Sequence, residues 1–134
     1  MNTKRLTVFA AATTIAAGVA LGTAVPASAS HGGGGGQQNS GQCSQGASWK
    51  IKAKADNGRL EVEAEVDTNV SGQTFKWQLA DNDVLQAKGK STTHAVSGSF
   101  SVRRLIANQS ATDAIKFTAT NKANGETCVA TVSI

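Results

Sequence analysis

Few residues in this chain are equipped for chemistry. It has two histidines, His31 and His94, two cysteines, Cys43 and Cys128, and no tyrosine. Serines are plentiful, but a Ser/His/Asp hydrolase would have to use His94, which stands in a polar Lys/Ser/Thr stretch with no nucleophile-elbow motif nearby. Asp81 and Asp83 could in principle act as paired carboxylates. In the run Asp81-Asn82-Asp83 their simpler role is to form a turn, because Asp and Asn side chains bond the nearby backbone. A metal centre needs more ligands than two cysteines supply. The reading is non-enzymatic, with no catalytic residue, metal ligand or cofactor assigned.

A sharper reading concerns His31. Cleavage after Ser30 would make His31 the first residue, and an N-terminal histidine can chelate copper through its amine and imidazole. The arrangement resembles lytic polysaccharide monooxygenases and periplasmic copper-resistance carriers, a likeness that implies a second histidine held by the fold. Here that histidine could be only His94. Ala27-Ser28-Ala29 fits the small-x-small cleavage rule better and would leave Ser30 first, with His31 in a linker. A copper-binding exported carrier using His31 is retained as an alternative. A carbohydrate-binding module is a further alternative, but Trp49, Phe75, Trp77, Phe100 and Phe117 all fall on alternating, core-facing positions. That leaves no aromatic platform for a sugar.

The organisation of the chain follows from its opening. Lys4 and Arg5 precede an apolar stretch, Leu6 to Val25, and the small residues Pro26-Ala27-Ser28-Ala29. This pattern predicts a secretory signal peptide over 1–29, with no membrane span after processing. Residues 30–42, rich in Gly, predict a flexible tail. Residues 43–134 are long enough for one domain with a marginal core. In an exported chain the cysteine pair predicts a Cys43–Cys128 disulfide, worth about 4 to 5 kcal/mol by loop-closure entropy. Lys4 and Arg5 are two of the 13 basic residues, which leaves 11 against 9 acidic ones in the processed chain. The two signs interleave along the sequence, so no one-faced basic patch and no nucleic-acid partner are expected.

The elements that would position these residues are strands. In "WKIKAKADNGRLEVEAEVD" Trp49, Ile51, Ala53 and Ala55 alternate with lysines, and Leu60, Val62, Ala64 and Val66 alternate with glutamates. Asn57-Gly58 suits a type I′ turn, because both central residues need positive φ. That turn sets Lys54 opposite Glu61, Lys52 opposite Glu63 and Lys50 opposite Glu65. The charges then fix the register, since a slip by one residue turns the apolar set to water. A second hairpin pairs Ile115, Phe117 and Ala119 with Cys128, Ala130, Val132 and Ile134 across Asn124-Gly125. Between the hairpins, strands are expected around Phe75 to Leu79, Val84 to Ala87 and His94 to Val102. No stretch after residue 29 has sustained helical periodicity.

"DAIKFTA", Asp113 to Ala119, resembles the start of strand F in immunoglobulin domains, with Phe117 at the tyrosine position and Ala119 at the second cysteine. Trp77, thirteen residues after Ala64, is similarly placed to the strand C tryptophan. The resemblance implies that Ala64 and Ala119 replace the usual inter-sheet disulfide, with Trp77 packed between them. It also implies that the first and last strands run parallel as neighbours, joined at their ends by Cys43 and Cys128. The signal peptide, the Gly-rich tail and "GETCVATVSI" resemble small secreted proteins of actinobacteria. The expected fold is an all-β, immunoglobulin-like antiparallel β-sandwich of about seven strands. The expected role is that of a secreted, monomeric, non-catalytic binding or surface-interaction module for an extracellular ligand or protein.

Overall fold

A computed structural model describes residues 35–134 apart from Ser110. Residues 1–29, expected to be a signal peptide, and His31 lie outside the described residues. Among the described residues eight strands form two four-stranded antiparallel sheets: β1 (Gln37–Gln42), β2 (Ser48–Asp56), β3 (Arg59–Asp67), β4 (Thr74–Asp81), β5 (Val84–Thr92), β6 (Ser99–Ala107), β7 (Ala114–Thr120) and β8 (Thr127–Ser133). The first sheet runs β1-β2-β3-β6 and the second β5-β4-β7-β8. Each contributes alternate residues to one core, in which Ile51, Leu60, Val62, Val66, Phe75, Leu79, Ile115 and Phe117 are essentially inaccessible. Phe75 of β4 meets Phe100 of β6 across the sandwich, with ring centroids 5.5 Å apart.

The β2–β3 register is the one the charges predict: Lys54 opposite Glu61, Lys52 opposite Glu63, Lys50 opposite Glu65 and Trp49 opposite Val66. Asn57 and Gly58 both have positive φ, 48° and 77°, as a type I′ turn requires. The same device closes β4–β5, where Asn82 and Asp83 sit at φ 47° and 66°. Asn tolerates this left-handed region better than most residues, because its short amide bonds locally. Here the Asn82 amide bridges out of its turn, donating to the Thr112 carbonyl at 3.3 Å and accepting from the Ala114 amide at 3.1 Å.

Three expectations are corrected. Half of the Gly-rich tail is not a tail: Gln37–Gln42 pairs with Ser48–Ala53 as edge strand β1, bringing the count to eight. Its side chains are almost all exposed, so no apolar alternation announced it. The strand expected over His94–Val102 begins instead at Ser99 and runs to Ala107, while β5 extends to Thr92. His94 to Gly98 forms the intervening turn, in which Gly98 lies at φ 75° and a Cβ would stand 2.2 Å from the Val70 nitrogen. Third, Cys43 and Cys128 do form a disulfide, with Cα atoms 4.4 Å apart, but the bridge joins the two sheets. Cys43 follows β1 in one sheet and Cys128 opens β8 in the other, so β8 is not hydrogen-bonded beside the first strand.

Candidate functional site

Charge that alternates along the chain need not alternate in space. The outward face of β2, β3 and β6 carries Lys50, Lys52, Lys54, Arg59 and Arg103 among Asp56, Glu61, Glu63, Glu65 and Asp67, so its signs cancel. Lys54 Nζ lies 3.4 Å from Glu61, and Arg103 of β6 reaches Glu63 at 2.8 Å and Glu61 at 4.0 Å. The hydrogen bond from Arg103, followed by its charge, holds Glu63 below the usual carboxylate range. Glu63 therefore pairs with a residue of the third strand in the ladder, one the hairpin pattern did not name.

The outward face of the second sheet is different. Strand alternation presents Lys76 on β4, Lys88 and Lys90 on β5 and Lys116 on β7, and Lys122 stands at the end of β7. No acidic side chain shares this face: Asp81 points into the core, Asp113 and Glu126 are buried, and Asp83 is in the β4–β5 turn. Lys76 is directly opposite Lys90, and Gln78 opposite Lys88. Like charges directly opposite one another destabilise a sheet. The contact with Lys122, then the charges of Lys122 and Lys90, hold the Lys76 ammonium below the ordinary lysine range. Two adjoining shallow depressions, of about 470 and 740 Å³, share Lys76, Lys90, Thr120 and Lys122 in their walls. The expectation that interleaved signs leave no one-faced basic surface is thus corrected. Period-two alternation sent each carboxylate of this half inward or into a turn while the lysines stayed out.

The residues singled out for catalysis are not brought together. Asp81 is 2 % exposed and Asp83 is exposed in its turn. Asp81 faces Asp113 instead, and neither of its carboxylate oxygens has a hydrogen-bond partner among the described residues. Burial, then the neighbouring Asp113 carboxyl, push the Asp81 carboxyl up to about 6. Asp113 accepts from the Gln109 amide at 3.2 Å. His94 is exposed on the β5–β6 connection.

The five aromatic residues of residues 35–134 all serve the core. Phe75, Trp77, Phe100 and Phe117 are buried, and Trp49 packs against the cluster with its indole donating to the Gln42 carbonyl. Trp77 stacks on Phe117 at 5.8 Å and is directly opposite Ala119. Its indole nitrogen donates to Ser91 at 3.1 Å, and the Arg104 guanidinium lies 5.0 Å from the ring centre. Compared with known proteins, the chain matches no family model, no curated protein and no solved structure.

Proposed function

We propose that this protein is an exported, non-catalytic binding module with an immunoglobulin-like sandwich, and that its ligand-contacting surface is the lysine face of the second sheet. The observation that carries this reading is the spatial sorting of charge. One outward face is neutral by pairing, while the other collects Lys76, Lys88, Lys90, Lys116 and Lys122 without a counter-charge. A surface that holds like charges in register costs stability, and an anionic partner turns that cost into affinity. Export is supported by the signal-like opening and by the disulfide, which persists in oxidising compartments. The immunoglobulin-like assignment is supported by Trp77 lying directly opposite Ala119, with Ala64 buried in the facing sheet.

Lysine footprinting tests the reading. The exported protein is acetylated free and after adsorption to the cell-envelope material of its own producer. Lys76, Lys88 and Lys90 should be protected on adsorption while Lys50 and Lys52 remain reactive. Equal protection of both faces would remove the assignment of the surface. N-terminal sequencing of the same preparation shows whether Ser30 or His31 comes first, and a free His31 amine is the condition for the copper-carrier alternative.

A further inference from the structure

We infer that the ligand of the lysine face is a linear anionic polysaccharide bound across the strands of the second sheet; this rests on the binding reading above and names its ligand class. The cations form a path rather than a point. Lys122, two residues beyond Thr120, the partner of Lys76, lines the same depressions as Lys76 and Lys90; Lys76 is opposite Lys90, and Lys88 follows two residues along β5, on the same face. Lys116 is level with Ala80, four residues along β4 from Lys76, which places it about 13 Å further on at roughly 3.3 Å per residue. A small anion needs two of these ammonium groups. Engaging the whole path takes a ligand whose negative charges repeat.

The other side chains of this face select among polyanions. Among the described residues it presents no arginine, the residue whose planar fork grips phosphate with two bonds, and the one aromatic residue in the wall of its larger depression, Trp77, is buried and offers no ring for a base to stack on. Both features disfavour nucleic acid. Protein partners are anchored by apolar or aromatic side chains in a central pocket. Here the exposed apolar residues of the sheet, Val84 and Leu85 at the start of β5 and Val129 on β8, lie on the two opposite edge strands rather than in a central pocket. Between the lysines are Gln78, Thr118 and Thr120, whose amide and hydroxyl groups suit a chain that is itself rich in hydroxyls. Lysine, as a compact point charge, accepts carboxylate or sulfate from several directions.

The test uses the full exported chain and fluorescein-labelled heparin, a sulfated polysaccharide, read by anisotropy. Unlabelled dextran and single-stranded poly-dT serve as neutral and nucleic-acid competitors. Heparin should bind and weaken at least tenfold as salt rises from ~50 to ~250 mM. Lys76→Gln with Lys90→Gln should weaken binding at least tenfold, while Lys50→Gln with Lys52→Gln on the balanced face should leave it unchanged. The Lys76/Lys90 variant should melt no lower than the parent, because it relieves repulsion, so its loss of binding is not a loss of fold. Poly-dT displacing heparin from the same lysines at lower concentration would overturn the polysaccharide assignment and leave the binding face standing. Heparin binding that ignores the Lys76/Lys90 variant, or no binding to any polyanion, would overturn both.

Discussion

Trp49 and Trp77 each lie across a glycine of the neighbouring edge strand. A Cβ on Gly41 would stand 2.5 Å from Trp49 Cζ2, and one on Gly89 would stand 2.7 Å from Trp77 Cζ2. Both glycines are there for space. Gly89→Ala should therefore destabilise the domain by about 1–3 kcal/mol through overpacking, as read by urea unfolding. Trp77→Ala should cost more, about 3–5 kcal/mol, because it empties the contact with Phe117. Asp81 contributes in the opposite sense. Its folded pKa of about 6 lies above the ordinary 3.8, so the stability it adds is fully present below about 3.8 and is lost as pH rises through about 6. Asp81→Asn should raise the melting temperature at pH 7.5 and leave it nearly unchanged at pH 4. Glu63, whose pKa is lowered, acts the other way below 4.5, where its protonation releases Arg103. A variant with the same pH dependence as the parent would show that Asp81 is not the group that titrates.

Among the elements, the first hairpin tests how much a charge ladder contributes. Lys54 and Glu61 are paired at 3.4 Å but Lys54 is half exposed, so a double-mutant cycle should return a coupling of only about 0.2–1 kcal/mol, falling with salt. The cycle between Lys52 and Glu63 should be weaker still, since Arg103 occupies Glu63 at 2.8 Å. Larger coupling at Lys52 than at Lys54 would contradict the side-chain arrangement, though not the strand register. At the opposite end of the sandwich, a buried carboxylate ties a turn down. Glu126, before β8, accepts the Ala47 amide at 2.8 Å and thereby holds the β1–β2 connection against the β7–β8 loop. Glu126→Ala leaves that buried amide unpaired and should cost about 1–3 kcal/mol in urea unfolding.

At the scale of the molecule, the disulfide and the core carry the stability of a small domain. The bridge spans 85 residues and links the two sheets. Reduction should free a loop worth about 4–5 kcal/mol and lower the melting temperature by well over ten degrees. A melting curve indifferent to reductant would show that the sheets hold together without it. The backbone around the bridge also crosses between sheets: the Ser44 amide donates to the Thr127 carbonyl at 2.9 Å, and the Thr127 amide to the Ser44 hydroxyl at 2.9 Å. Cys43 and Cys128 are therefore held close by more than the sulfur bond.

The sequence by itself determined the features that follow from local periodicity and turn chemistry. Alternation from Trp49 to Val66, with Asn57-Gly58 between, specified both strands, their turn and their register, because period two and positive φ leave one arrangement that buries Ile51, Val62 and Ala64. It also identified the cysteine pair and the core-facing aromatics. Strand β1 was illegible because Gln37 to Gln42 buries almost nothing, and its pairing depends on the open edge of β2. Only the tertiary structure set Asp81 against Asp113, residues 32 positions apart that meet at one end of the sandwich. The lysine face was decided there too. Lys76, Lys90 and Lys122 come from separate elements, and their adjacency depends on strand order in the second sheet, which alternation along a single strand does not encode.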